Sequence, residues 1–129
     1  MRLFIVFVGL TSFLGQFLAQ AQARPIDSLF LVSEEKSIGS MFGSKMGVYT
    51  KTFDVTMSNL SNMNVNLSLI CFEGYASDGR MLELDTIDDN LVTGLLPPQK
   101  QIKGKVVFVS QKEDLISGAT IVKVSDSCD

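Results

Sequence analysis

The stretch LICFEGYASDGRMLELD, Leu69–Asp85, decides the fold because it holds one strand-like run before a tight-turn signal and another after it. Asp78 and Gly79 form that signal, since this pair tolerates the positive φ angles that a hairpin turn requires. The run before the turn ends apolar on both faces, as a central strand does. The run after it is expected to point Leu82 and Leu84 inward. The stretch therefore predicts an antiparallel hairpin within a larger sheet.

The rest of the chain alternates with the same period of two, and no segment carries a sustained helical stripe. In the run that follows Tyr49, for example, Phe53, Val55 and Met57 face one way and polar residues face the other. Other strand-like runs are Ser28–Glu34, Val65–Tyr75, Leu91–Leu96, Lys105–Ser110 and Ala119–Ser127. About seven short strands with regular turn signals predict an all-β fold, an antiparallel β-sandwich of immunoglobulin-like type.

The N-terminus has the layout of a cleaved secretory signal. Arg2 supplies the positive charge, an apolar stretch runs from Leu3 to Leu18, and small residues in A-x-A spacing follow. Cleavage after Ala21 and cleavage after Ala23 both fit. A membrane span is the competing interpretation, but the apolar run is shorter than the roughly 20 residues that a span needs. We expect a signal peptide at residues 1–23 and one β-sandwich domain at residues 24–129, with no membrane span in the mature chain.

The chain has two cysteines, Cys71 and Cys128. Exported proteins reach an oxidising compartment where cysteines pair, and two cysteines allow one connectivity. We therefore expect a disulfide that pins the C-terminal tail to the sheet, provided that the strand with Cys71 and the last strand share a sheet. The alternative is a buried free Cys71 and a frayed C-terminus.

The composition excludes several chemistries. The chain contains no histidine, which removes Ser-His-Asp catalysis, Cys-His catalysis and His-ligated zinc. It lacks phosphate-binding and dinucleotide-binding glycine motifs. The net charge is −3 and the basic residues are scattered, so nucleic acid is not expected as a partner. We predict no catalytic residue, no cofactor and no metal site, and hence a protein that is not an enzyme.

The acidic run Asp85, Asp88 and Asp89 is the best candidate for a cation site, because calcium prefers clustered oxygen ligands in a loop. Its spacing differs from that of an EF-hand, however. A solvated turn is the simpler interpretation and the one that we favour.

The segment Ile38–Val48 is rich in Gly, Ser and Met and is expected to be a loop. Flexible methionine and aromatic side chains on a loop can form an adaptable binding surface, and they can equally pack over an open end of the sandwich. The candidate binding residues in or beside this segment are Met41, Phe42, Met46 and Tyr49.

A short strand at Leu91–Leu96 is the candidate edge for strand addition by a partner. An acidic turn precedes it, two prolines follow it, and it carries no charge of its own. Leu91, Val92 and Leu95 would present the edge. The alternatives are a loop, or an edge that the neighbouring connection covers.

Four segments resemble a family of small exported bacterial proteins of unknown function. They are VTMSNLSNMNVNLSLICFEGY, SDGRMLELDTIDDNLVTGLLPP, IKGKVVF and IVKVSDSC, and together they cover most of the mature chain. The resemblance implies an immunoglobulin-like sandwich, a signal peptide and export past the inner membrane of a Gram-negative cell. It implies no activity.

Taken together, these features predict an exported, non-enzymatic binding or structural module in the periplasm or outside the cell, whose partner is another exported or envelope protein. The alternative is a small inhibitor or modulator of a secreted enzyme that acts through a protruding loop, either Ile38–Val48 or Thr86–Asn90. A hydrolase with paired carboxylates ranks third, since it would need a cleft that no sequence feature indicates.

Overall fold

The computed structural model describes residues 25–42 and 47–128, and this part of the chain is almost entirely β-structure. The strands are β1 (Leu29–Phe42), β2 (Gly47–Asn59), β3 (Val65–Asn66), β4 (Cys71–Ala76), β5 (Met81–Ile87), β6 (Leu95–Leu96), β7 (Gln101–Ser110) and β8 (Ala119–Ser125). One short helix, α1 (Glu113–Ser117), and three 3₁₀ turns, Pro25–Ser28, Leu67–Leu69 and Asp89–Leu91, complete the described elements. The prediction of an all-β, antiparallel fold is confirmed, with eight strands in the described part instead of about seven.

Six strands form one sheet in the order β1-β2-β7-β5-β4-β8, and β3 pairs with β6 in a separate two-residue ribbon. The sheet folds into two layers at β5, because this strand changes partners along its length. Met81 and Leu82 pair with β4, whereas the rest of β5 pairs with β7. The layers meet at Gly74 of β4, where an added Cβ would lie 2.6 Å from the Phe108 ring of β7. The architecture is that of a β-sandwich.

The core lies between these layers and follows the predicted alternation. Phe53, Val55 and Met57 of β2 are buried, and Phe53 meets Phe108 edge to face with ring centroids 5.9 Å apart. An edge-to-face aromatic pair contributes about 0.5–1.5 kcal/mol beyond the area that it buries. Leu82 is buried as predicted, but Leu84 is exposed, so the prediction that both face inward is half right.

The predicted hairpin forms between β4 and β5. The backbone N–H of Ala76 donates to the carbonyl of Arg80 at 2.9 Å, and Gly79 has a φ of +92°. Asp78 supports the turn, since its carboxylate accepts the backbone N–H of Arg80 at 3.1 Å. The backbone N–H of Arg80 lowers the pKa of Asp78 below its ordinary value.

The disulfide between Cys71 and Cys128 is present, with the two Cα atoms 5.7 Å apart. It forms because β4 pairs antiparallel with β8, which brings Cys71 opposite Ser125. From there the chain needs three more residues to bring Cys128 back to the start of β4. The C-terminal tail is therefore tied to the sheet as expected.

The prediction of one strand across Val65–Tyr75 is wrong. The segment divides into β3, a 3₁₀ turn and β4. The side chain of Asn66 is the cause, because its oxygen accepts the backbone N–H of Ser68 at 3.0 Å and the Ser68 hydroxyl at 2.6 Å. Such local bonds offer the backbone an alternative to a strand ladder. As a result Leu69 is 66% exposed.

The predicted signal peptide at residues 1–23 lies outside the described residues. No helix in the described part of the chain is long and apolar enough to cross a membrane.

Candidate functional site

The predicted binding loop is part of a long β-ribbon. Ile38–Phe42 belongs to β1 and Val48 belongs to β2, and Ser40 pairs with Tyr49. The loop prediction is wrong because cross-strand pairing with β2 outweighs the weak strand preference of Gly and Ser. Met41 is 55% exposed, and Tyr49 is half-buried and packs against the core. Met46 lies outside the described residues, as does the side chain of Phe42.

The predicted edge strand Leu91–Leu96 is shorter than expected, because Leu95–Leu96 alone forms a strand, β6, and Leu91 and Val92 do not belong to it. Leu91 ends a 3₁₀ turn and is fully buried against Gly104 of β7. The backbone N–H of Val92 closes that turn by donating to the carbonyl of Asp89 at 3.0 Å. Leu95 belongs to β6, which pairs with β3, and its side chain is 60% exposed. A buried 3₁₀ turn and a short strand both read as an apolar run, so the pattern did not separate them.

The acidic turn is tied to β7. The carboxylate of Asp88 accepts the backbone N–H of Lys105 at 2.8 Å, and the N–H of Asp88 donates to the carbonyl of Lys105 at 3.0 Å. Asn90 continues the contact by donating to the carbonyl of Lys103 at 2.7 Å. Within residues 25–42 and 47–128, no three carboxylate or cysteine groups are placed to hold a metal ion. Thr86–Asn90 therefore packs on the sheet and does not form a protruding loop.

The sheet ends at β1 on one side and at β8 on the other, and parts of these two strands approach within 8 Å of each other between Cα atoms. β2 is the one strand that pairs with β1 in the described part of the chain. The carbonyl of Ser28 accepts the backbone N–H of Leu60 at 2.9 Å, and the pairing continues in register from Leu29 opposite Asn59. In an antiparallel ladder, hydrogen-bonded pairs alternate with pairs that are not bonded. Phe30, Val32 and Glu34 therefore bond to β2.

It follows that the backbone groups of Leu29, Leu31 and Ser33 point away from β2, toward the open side of β1. These three residues supply three donors and three acceptors in a row. An unpaired row of this kind is a template for an added strand.

The side chains along this half of β1 are uncharged. Leu29 and Leu31 pack against the core, while Phe30 and Val32 on the outer face are 56% and 46% exposed. Natural sheets usually protect an edge with charges, prolines or bulges. We call Leu29–Ser33 the open edge, and none of these protections occurs within it.

The second half of β1 does carry such protections. A bulge at Lys36 shifts the register between Glu35 and Ser37. Lys36 pairs with Asp54 at 3.6 Å, and Glu35 pairs with Lys51 at 2.9 Å. The bulge and the charges confine the unprotected stretch to the open edge.

Lys51 anchors this half of β1 to the opposite layer. Its side chain is 2% exposed and donates to the carbonyl of Ala119 at 2.7 Å. A lysine is seldom buried unless it is paired, and here the carboxylate of Glu35 supplies the partner. The sequence analysis did not single out Lys51, because nothing in the alternating pattern around it indicates a buried ion pair with Glu35.

An apolar groove of 250 Å³ adjoins the open edge. Ile26, in the turn before β1, and Asp126, just after β8, both line the groove, which therefore lies where β1 begins and β8 ends. The other lining residues are Asn64, Val65, Asn66, Leu69 and Ile70. Concave apolar surfaces with a few polar groups at the rim are typical binding sites for side chains and small ligands.

Charged residues of both signs lie next to the open edge. Asp27 and Glu34 are exposed, and Glu34 lines a shallow depression together with Lys103 and Lys105. Lys36, at the bulge, pairs with Asp54. The open edge is therefore an uncharged stretch between charged side chains.

Comparison with known proteins identifies the family and a structural relative. A family model described as a domain of unknown function, DUF4354, matches residues 4–126, and the chain belongs to this family. Among solved structures, it is similar to the crystal structure of an ApaG protein from Pseudomonas aeruginosa, with a TM-score of 0.72 and 25% sequence identity. The match covers 79% of this chain and 98% of that one. No curated protein matches the chain.

Proposed function

We propose that this member of the DUF4354 family is an exported, non-enzymatic binding module that accepts an extended segment of another protein along the open edge of β1. In this mode the main-chain hydrogen bonds supply affinity, and nearby side-chain contacts supply specificity. The observation that carries the proposal is the open edge itself, five uncharged residues with a row of outward backbone donors and acceptors.

Export is part of the proposal. The signal-like residues 1–23 support it, and the disulfide between Cys71 and Cys128 is compatible with an oxidising compartment. The protein would work in the periplasm or outside the cell, and its partner would be another exported or envelope protein. We assign the sandwich to the immunoglobulin-like type on the basis of its antiparallel strands and two layers.

The absence of histidine supports a non-enzymatic role, because imidazole is the commonest general base. Both cysteines are in the disulfide, which removes them as nucleophiles. The acidic turn at Asp85, Asp88 and Asp89 has a structural contact in the described part of the chain, since the carboxylate of Asp88 accepts the backbone N–H of Lys105 in β7.

The test is site-specific photo-crosslinking in growing cells. A photoreactive benzoylphenylalanine replaces Phe30 at the open edge, and a matched variant carries it at Met81 on β5, which has the same exposed fraction of 56%. We expect a discrete adduct with one envelope protein from position 30 and none from position 81.

A second substitution ties the adduct to strand addition. Ser33→Pro, introduced into the position-30 variant, removes a backbone donor that faces outward, so the adduct should disappear while the fold persists. An adduct that survives Ser33→Pro, or equal adducts from both positions, would overturn strand addition at β1.

An inhibitor that acts through a protruding segment is the second candidate function. The observation in its favour is the far end of the β1–β2 ribbon, where Met41 pairs with Val48 beyond the last β2–β7 pair, Tyr49 with Ser110. Met41→Asp should then abolish inhibition of the secreted target and leave crosslinking at Phe30 unchanged. Loss of crosslinking in Met41→Asp would instead assign the ribbon end to the same surface as the open edge.

A further inference from the structure

The two ends of the sheet lie side by side. Parts of β1 and β8 are within 8 Å of each other between Cα atoms, and no hydrogen-bonded ladder joins the two strands in the described part of the chain. At one end Ile26, before β1, and Asp126, after β8, line the same groove. At the other end Lys51 links Glu35 of β1 to Ala119, the first residue of β8. The two strands therefore run in opposite directions, and we call the boundary between them the seam.

The seam limits the space for an added strand. Neighbouring strands of a sheet lie about 4.8 Å apart, so a strand between β1 and β8 needs about 9.6 Å between them. Parts of the two strands are closer than this, within 8 Å. The outer face of β1 is exposed at Phe30 and Val32, so a partner segment can approach from that side. The seam must widen before the segment pairs with the open edge.

Lys51 holds the seam closed at one end. Its ammonium group has three N–H donors, and three acceptors surround it. They are the Glu35 carboxylate at 2.9 Å, the Ala119 carbonyl at 2.7 Å and the Ser117 carbonyl at 3.4 Å. The Nζ atom also lies 5.7 Å from the centre of the Phe53 ring. The ammonium group therefore binds β1 on one side of the seam, and α1 and the start of β8 on the other.

The polar character of these contacts makes them reversible. Removing an ammonium group from water is costly, and its bonds inside the protein offset that cost. The Lys51 side chain is 2% exposed, whereas that of Glu35 is 53% exposed, so water already reaches the carboxylate. Widening the seam would admit water to Lys51, and hydration would replace the three bonds. Purely apolar contacts would lose stability on opening without this compensation.

We infer that Lys51 and Glu35 form a latch across the seam, and that this latch opens before a partner segment is added at Leu29–Ser33. The inference rests on the proposed function, since it names what regulates the same edge. It also explains how the open edge avoids chance pairing without charges, prolines or bulges of its own, because a narrow seam takes their place. Lys51 is a positioning residue here, since it sets the distance between β1 and β8.

The first experiment measures seam opening in the purified protein by NMR relaxation dispersion of backbone amides, which detects exchange on the microsecond to millisecond timescale. Glu35→Ala removes the β1 side of the latch. Glu34→Ala is the matched control, because Glu34 is an exposed carboxylate on the same strand and faces the opposite way. We expect Glu35→Ala to raise the population of the open state about tenfold, as the loss of one charge-assisted hydrogen bond would.

Two further results identify this exchange as opening of the seam. It should be confined to β1 and β8, while the amides of the β4–β5 hairpin stay unaffected, which distinguishes opening from a general loss of stability. Glu35→Gln keeps an acceptor but no charge, so its open population should lie between those of Glu35→Ala and the unaltered protein. No rise in Glu35→Ala, or an equal rise in Glu34→Ala, would overturn the latch.

The second experiment tests whether opening controls strand addition. It measures the adduct that benzoylphenylalanine at Phe30 forms in cells shortly after induction, when association limits the yield. We expect Glu35→Ala to raise this early adduct and Glu34→Ala to leave it unchanged. If Glu35→Ala raised the open population but not the adduct, strand addition would not require opening and the inference would fall. The proposed function is decided separately, by whether Ser33→Pro removes the adduct.

Discussion

Two proline substitutions at neighbouring positions test which backbone groups of β1 face outward. Ser33→Pro removes an N–H that points to the open side, and Glu34→Pro removes an N–H that points to Asp54 on β2. The two residues are polar, adjacent and on the same strand. The strain of fixing φ at the proline value is therefore similar in both variants, and it cancels in the comparison.

The expected difference in stability between the two variants follows from the hydrogen bonds between β1 and β2. Glu34→Pro loses one hydrogen bond, about 0.5–1.5 kcal/mol, and leaves the Asp54 carbonyl without its partner, which costs about 1–3 kcal/mol more. Ser33→Pro loses no bond within the protein. We expect Glu34→Pro to be less stable than Ser33→Pro by about 1.5–4.5 kcal/mol, and each kcal/mol lowers the unfolding temperature by about 4–8 °C for a small domain.

The assay is urea unfolding of both variants with the disulfide intact, together with calorimetry. Equal destabilisation would show that both N–H groups are bonded inside the protein, so that β1 has a second partner. The reverse order would show that the alternation is inverted, with Leu29, Leu31 and Ser33 bonded to β2. Either result would refute the assignment of the open edge.

Three further predictions concern the rest of the fold. Cys71→Ser should lower the free energy of unfolding by about 4 kcal/mol on the chain-entropy model, since the disulfide spans 57 positions, and urea unfolding with and without reductant measures this. Gly74→Ala should destabilise by about 1–3 kcal/mol because the new methyl group meets the Phe108 ring, whereas an unchanged unfolding temperature would contradict that contact. Asp78 should titrate below an ordinary aspartate in an NMR carboxyl titration. The stabilising contribution of its contact with Arg80 should therefore be present above the ordinary aspartate pKa and be lost as the pH falls through the lowered pKa.

The parts of the fold that could be predicted from the sequence depend on local signals or on the number of cysteines. Asp78 and Gly79 specify their turn through their own backbone preferences, so the β4–β5 hairpin could be predicted from a few residues. Cys71 and Cys128 could be paired because two cysteines allow a single disulfide. The alternation in β2 identified its buried face because one side of that strand meets the core along most of its length.

The parts that the sequence did not predict depend on distant partners. Gly39 and Ser40 have weak strand preferences, and β1 extends through them because β2 lies alongside. Leu91 is buried because Gly104, in another strand, leaves room for it. Tertiary contacts of this kind override local preference, and a single sequence does not reveal them.

The candidate site was missed for the same reason. Leu29–Ser33 lacks the charges, prolines and bulges that usually mark an edge strand, so its composition does not distinguish it from a central strand. The sequence predicted strand addition but assigned it to Leu91–Leu96, where the short run between an acidic turn and two prolines imitates an edge. Leu29–Ser33 was predicted as a strand, yet its position at the end of the sheet depends on the order β1-β2-β7.

Amide hydrogen exchange of β1, followed residue by residue by NMR, tests the central claim most directly. If Leu29–Ser33 is an open edge, the amides of Leu29, Leu31 and Ser33 exchange quickly, and those of Phe30 and Val32 are protected by their bonds to β2. The account predicts this alternation in the free protein. Uniform protection along β1 in the free protein would contradict the account, because it would mean that the edge is already covered.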